Sequence, residues 1–441
     1  MKFSKFGQQF TETTGISQLM DDLGDALKSP EPVNMLGGGN PARIDAVNEI
    51  FLATYQALGS DGFDSGALDS MVNYSNPQGD SGFIAALVDF FNRHYDWNLT
   101  SDNIALTNGS QNAFFYLFNL FGGAFAGETN DNNGSQESIN KSILLPLAPE
   151  YIGYSDVQID GKHFVAIKPH IEEVTHEGET GFYKYSVDFE ALRDLADLKE
   201  GRIGAICCSR PTNPTGNVLT DEEMATLADI AKQYDVPLII DNAYGAPFPN
   251  IIYPDVNLKW DSNTILCFSL SKIGLPGVRT GIIVARPEVI SAVSAMNAVV
   301  NLAPTRFGAA IAKPLVEDDT LKQLCDETIQ PFYAKKAKRA VTLLKEAMGE
   351  TPMRIHKPEG AIFLWLWFKD LPISTTELYE RLKAKNTLIV PSEHFFPGLD
   401  IEDYPHAHEC IRMSIAADEK TLVNGIKAIG EVVCELYAQG Q

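Results

Sequence analysis

Cysteine is scarce in this chain and follows no pairing pattern: Cys207, Cys208, Cys267, Cys325, Cys410 and Cys434 are the six in 441 residues, and no two stand as C-x-x-C. Cys207 and Cys208 are adjacent inside an apolar, strand-like run, so buried free thiols are the simplest reading. Cationic residues are also few, 35 Lys and Arg against 58 Asp and Glu, for a formal net charge of -23. An acidic surface repels phosphate backbones and anionic head groups, which argues against nucleic acid or membrane as a main partner. Long apolar runs are missing too. The opening MKFSKFGQQFTETTG has no continuous apolar stretch and no small-residue cleavage site, and the apolar segment Ala113–Gly127 is broken by Asn119 and too short for a bilayer. A cytoplasmic protein is expected. With 44% hydrophobic and 21% charged residues, the composition is that of an ordinary globular chain.

The length exceeds one average domain, so a large domain with a smaller companion is expected. Short apolar runs bounded by turn residues recur at Ser142–Leu147, Ile203–Ser209, Val236–Asp241, Thr264–Ser271 and Thr280–Ala285, and each reads as a buried strand. Amphipathic stretches such as Gln111–Phe121 and Asp221–Tyr234 lie between them. That alternation predicts an α/β fold, a mainly parallel sheet sandwiched by helices. In such sheets ligands gather beyond the carboxyl ends of the strands, so the polar residues ending these runs matter most. The polar, Gly/Asn-rich segment Gly127–Lys141 is expected to be an exposed loop. The expected division is an N-terminal segment, 1–45, packing with the small domain, a large domain at 46–315, and a smaller α+β domain at 316–441 containing strands near Ala361–Phe368 and Cys410–Ile415.

Lys272 follows Ser269-Leu-Ser at a strand-to-loop junction and precedes Gly274-Leu-Pro-Gly-Val-Arg279. A lysine that forms a Schiff base must be held near an aldehyde, and a phosphate needs hydroxyls and an arginine fork; Ser269, Ser271 and Arg279 offer these. Taken alone, Lys272 also reads as a solvated lysine beside a Gly-rich turn. Ser269-x-x-Lys272 and Ser101-Asp102-Asn103 match two serine-hydrolase motifs, but in reversed order and with no Lys-Thr-Gly after them. Asp241 ends a buried run, where a carboxylate needs a cation or hydrogen bonds. A protonated pyridine nitrogen would serve; a helix N-cap is the bland alternative. Tyr244 stands three residues on, and Asn213 lies in Asn-Pro-Thr-Gly after another strand. Gly109, Ser110 and Gln111 break a strand and open an apolar helix, whose free N–H groups suit a phosphate. His406, His408 and Cys410 alternate as strand-borne metal ligands would, but Pro405 and the want of a fourth ligand make a loop the better reading, and no metal is expected.

The order Asn-Pro-Thr-Gly, Asp-x-x-Tyr, Ser-x-Ser-Lys with Pro-Gly-x-Arg, then a late Arg, resembles the fold-type-I pyridoxal-phosphate (PLP) aminotransferases of class I and II over nearly the whole chain. The resemblance implies that Lys272 carries the PLP as a Schiff base and moves the proton, and that Asp241 pairs with the pyridine nitrogen. It gives Asn213 and Tyr244 the phenolic oxygen. Gly109, Ser110, Gln111, Ser269, Ser271 and Arg279 would hold the phosphate, and Tyr151 would stack on the ring. Tyr74 resembles the tyrosine that reaches the neighbouring subunit's phosphate, implying a homodimer with shared sites. Arg412 matches the arginine that clamps the substrate carboxylate, beside Gly39 and Asn213. The strings LGGGNPA, LTNGSQNAFFYLFNLF, PLAPEYIGY, SRPTNPTGNV, IDNAYGAPFP and KPEGAIFLWLWFKDLPI narrow the likeness to members exchanging the amino group between valine, alanine or 2-aminobutyrate and pyruvate or 2-oxoisovalerate, by a ping-pong route. A C–S lyase using the same cofactor is a rival. A transcription regulator with a domain of this kind is another, but Gly39 arrives too early to leave room for a DNA-binding segment.

Overall fold

Runs such as Ile203–Ser209 and Thr264–Ser269 have no polar face, and both are buried along their whole length, as central strands covered on both sides must be. The computed structural model describes residues 2–8, 10–11, 24, 32–60, 72–130, 136–159, 161 and 163–439. Most of 12–31, within the expected N-terminal segment, therefore lies outside the described residues. The larger sheet runs Ile104–Thr107, Gly281–Val284, Thr264–Ser269, Leu238–Asp241, Ile203–Ser209, Gln136–Leu145, Gly123–Asn130, with Phe164–Ala166 also pairing to Gln136–Leu145. The four central neighbours are parallel. Gly281–Val284 runs antiparallel to both its partners. The reason is the connection: the chain from Ser269 to Gly281 holds only two 3-10 turns, and so short a link returns a strand antiparallel instead of crossing over.

The expected loop at Gly127–Lys141 is instead largely strand: Gly123–Asn130 and Gln136–Leu145 form an antiparallel pair at the sheet edge, with 131–135 outside the described residues. An edge strand can stay polar, which removes the apolar alternation that would announce it.

The second sheet runs Val390–Pro391, Cys410–Ser414, Phe363–Phe368, Met353–His356, Glu179–Ser186, His170–His176. Residues 170–186, which fall in the interval assigned to the large domain, thus pair with C-terminal strands. Their Tyr183 and Tyr185 are fully buried there. Asn34–Met35 pairs with Thr387–Leu388, and a Cβ on Gly37 would stand 2.9 Å from the Ile389 carbonyl oxygen, so only glycine lets the strands approach there. Under the larger sheet Phe90, Phe91, Phe248 and Phe268 pack ring against ring, each contributing about 1.5–3 kcal/mol by burial. No described helix is long and apolar enough to cross a membrane.

Candidate active site

Asp241, Ser209, Ser269 and Thr107 terminate their strands at one end of the larger sheet, and Arg412, on the second-sheet strand Cys410–Ser414, bonds Asn213 just beyond Ser209. Lys272 sits on the 3-10 turn Leu270–Ile273, fixed by Ser269 Oγ accepting from the Ser271 N–H at 3.1 Å and closed by Gly274 at φ +117. Its Nζ donates to the Gly39 carbonyl at 2.6 Å and lies 5.4 Å from the Tyr244 ring centre. Desolvation, with Arg412 and Arg279 adding repulsion against the pull of Asp241, lowers the Lys272 pKa to about 8.

Asp241 is buried; Oδ1 accepts from the Ala243 N–H at 2.9 Å and Oδ2 from the Tyr154 hydroxyl at 2.8 Å. Burial raises its pKa to about 6, against those hydrogen bonds and Lys272. Among the described residues no cation lies within ion-pair distance of it.

Arg412, from the second sheet, is 3% exposed. Nη1 donates to Asn213 Oδ1 at 2.9 Å, Nη2 to the Gly37 carbonyl at 2.7 Å, and Nε has no partner. The guanidinium is 4.2 Å from the Phe363 ring centre. Burial lowers its pKa only to about 10, so it stays charged, again with no carboxylate partner among the described residues. Since Arg412 takes the Asn213 amide oxygen, the NH2 end of that amide is left for an acceptor.

At the far end Gly109, at φ +85, precedes the helix Ser110–Phe121 without any side-chain cap. A Cβ there would collide with the Arg279 guanidinium, and Arg279 is itself in the left-handed region at φ +50. The uncapped Ser110 and Gln111 N–H groups and Arg279 form a cradle suited to phosphate. The Gln111 side chain ties it to the Tyr151 turn by donating to the Gly153 carbonyl at 2.8 Å. Burial above all raises the pKa of the Tyr151 hydroxyl, with Asp241 adding to it and Arg412 and Arg279 pulling against it.

One sequence-derived candidate stands apart. Tyr74 is 80% exposed, on a segment held by Arg306, which donates to Asp80 at 3.0 Å. Three groups escaped sequence reasoning: Tyr154, Ser209 and Glu150, all buried behind Asp241. Tyr154 lies one 3-10 turn after Tyr151, and that i, i+3 spacing is a signal that could have found it. The pair His406 and Cys410 does not lie on one strand: Pro405–His408 is a 3-10 turn, and His408 Nε2 contacts the Ile401 carbonyl. Among the described residues no group of three or more His, Cys, Asp or Glu is placed to hold a metal. A cavity of about 440 Å³ between Trp97, Trp260 and Met224 includes none of these candidate residues.

A buried carboxylate without a cation, a buried guanidinium without an anion, a low-pKa lysine and a phosphate cradle together fit PLP with an amino-acid substrate. The chain belongs to the class I and II aminotransferases, whose family pattern matches residues 173–429, and its cofactor is pyridoxal phosphate. It is 45% identical over 440 residues, all of both chains, to the valine–pyruvate aminotransferase of Escherichia coli K12. The crystal structure of a valine-pyruvate aminotransferase from Salmonella typhimurium has TM-score 0.83 and 43% identity, covering 96% of this chain and 100% of that one. A putative amino-acid aminotransferase from Psychrobacter arcticum has TM-score 0.95 and 76% identity, covering 99% of each. The fold is that of the fold-type-I PLP enzymes.

Proposed function

We propose that this aminotransferase exchanges the amino group between valine, or alanine or 2-aminobutyrate, and pyruvate or 2-oxoisovalerate, in two half-reactions. The observation that carries it is the uncompensated Arg412 charge set electrostatically against Lys272; the substrate preference rests on likeness to the two valine–pyruvate enzymes. When bound, the cofactor accepts the amino group between the half-reactions and spreads the electrons left at the substrate α-carbon.

The residues divide the work. Lys272 would be the amine that carries the cofactor and, as a free amine, the base that takes the α-proton and returns it. Its lowered pKa leaves a useful neutral fraction near neutrality. Asp241 would keep the pyridine nitrogen protonated, and Asn213 and Tyr244 would donate to the phenolic oxygen. Ser110, Gln111, Ser269, Ser271, Gly109 and Arg279 would hold the phosphate, and Tyr151 would stack on the ring. Arg412 binds the substrate α-carboxylate beside Gly39, and the Phe363 and Phe395 rings that flank its guanidinium keep water from weakening that pair.

A homodimer with shared sites belongs to this reading. Support comes from apolar side chains left exposed on this chain: Tyr74 at 80%, Val72 at 63%, Val299 at 85% and Leu302 at 62%. In solution a mass of twice 48.4 kDa is expected.

Adding L-valine to the purified yellow holoenzyme should bleach its visible band, and pyruvate should restore it with stoichiometric alanine. Ammonia release without an oxo acid would point to the lyase instead.

A further inference from the structure

Behind Asp241 lies a second buried acid that transamination as derived above does not use. Glu150 is 1% exposed; its Oε1 accepts from the Ser209 N–H at 2.9 Å, and its Oε2 lies 2.6 Å from Ser209 Oγ and accepts from the Tyr151 N–H at 3.3 Å. Ser209 Oγ is 3.4 Å from Tyr154 Oη, which is 2.8 Å from Asp241 Oδ2. Four oxygen-bearing groups thus form a chain with three contacts. Among the described residues no cation is in ion-pair distance of either acid.

Counting hydrogens decides how such a chain can be filled. With both acids ionised, the Ser209 and Tyr154 hydroxyls supply two hydrogens for three contacts. One contact then sets oxygen lone pairs face to face, and two uncompensated anions share a dry interior, which is expensive. A single added proton fills all three contacts and leaves one charge. Glu150 is the acid to carry it. Both acids accept backbone N–H groups, so the difference is one of charge: Asp241 lies in the field of Lys272, whereas Glu150 has only the Asp241 carboxylate as a charged neighbour and is driven by burial harder toward its neutral form, to about 8.

We propose that Glu150 is a positioning residue: as a neutral acid it donates to Ser209, Ser209 to Tyr154 and Tyr154 to Asp241, so that the network's one anion is the carboxylate facing the cofactor. The inference rests on the reading of Asp241 as partner of the pyridine nitrogen. It also lets Gln keep both Ser209 contacts, an amide NH2 donating to Ser209 Oγ while its oxygen accepts the Ser209 N–H, at the loss of only the longer contact from the Tyr151 N–H.

Infrared spectra of the holoenzyme at neutral pH test the protonation directly, without reference to turnover. Wild type should show the carbonyl stretch of a protonated acid that Glu150→Gln has lost. Equilibrium dialysis of the cofactor then tests the positioning: Glu150→Ala and Ser209→Ala should weaken retention about tenfold or more, as expected for an unpaired buried group. Glu150→Gln should stay within about twofold of wild type. The pH at which the cofactor's visible band titrates should move in Glu150→Ala and stay in Glu150→Gln. No difference band in the infrared, or a Gln variant as impaired as the Ala variant, overturns the proposal. A Glu150 band accompanied by undiminished cofactor binding in Asp241→Asn would overturn instead the reading of Asp241 on which it rests.

Discussion

Two buried polar clusters, one at Lys272 and one inside the second sheet, respond to the same dry surroundings in opposite ways. In the second sheet Trp365 Nε1 donates to Tyr185 Oη at 2.9 Å, Tyr185 Oη contacts His406 Nε2, and the Tyr185 N–H donates to His356 Nε2 at 3.3 Å. Burial lowers both His356 and His406 to about 3, so they are neutral across the physiological range and every partner is another neutral group. At Lys272 the same desolvation acts on Arg412 and cannot discharge it, and it leaves Asp241 an acid of about 6 without a cation. A polar cluster that neutralises itself serves architecture. One that holds opposite charges apart, unpaired, is kept for something that arrives.

The strongest test of that difference is Lys272→Ala. Loss of the amine proposed to carry the cofactor and move the proton should lower L-valine–pyruvate turnover by about 10⁴-fold or more, measured as alanine formed; residual activity within about tenfold of wild type would erase the distinction. Arg412→Lys comes next. Replacing a two-pronged contact by a point charge should reduce kcat/KM by about 10²-fold, carried mainly by KM, with cofactor retention unchanged. Should the cofactor leave instead, the Arg412 charge is not waiting for substrate.

A smaller effect follows from pH. Because the Lys272 pKa is lowered to about 8, the rate at which cofactor-free protein captures PLP should climb about tenfold per unit below pH 8 and flatten above it. A lysine near its ordinary value would keep the rate climbing toward 10.5. The sign for stability follows: between about 8 and 10.5 the unfolded chain binds a proton here that the folded chain does not, so this group makes the cofactor-free fold more stable as pH rises through that window. Denaturant midpoints across the same range check it.

Much of the site could be read in the chain because its charged residues end apolar runs. Lys272, Asp241 and Asn213 each follow a stretch that must be buried, and a polar residue in that position is a local signal. The parallel core was legible for the same reason. Contacts between distant segments were not. Nothing near Arg412 says that it bonds an amide 199 positions away, or that Glu150 meets Ser209 across 59. The edge pair at Gly123–Asn130 and Gln136–Leu145 hid because edge strands tolerate polar residues, and the hairpin at 170–186 because its partner strand begins at Met353.

The least disturbance to catalysis is expected from Tyr185→Phe, and for that reason it bears most directly on the architectural cluster. Removing one oxygen leaves the buried Trp365 N–H without its acceptor and the His406 Nε2 without its phenol, at a cost of about 1–3 kcal/mol of stability. The denaturation midpoint of the cofactor-saturated protein should fall accordingly, while kcat/KM for L-valine stays within about twofold. The two readouts separate because the second-sheet cluster contains no charge whose loss the reacting atoms would feel. A drop in kcat/KM with stability intact would mean that neutrality does not mark a merely structural cluster, and that the Tyr185 hydroxyl acts on the Cys410–Ser414 strand that carries Arg412.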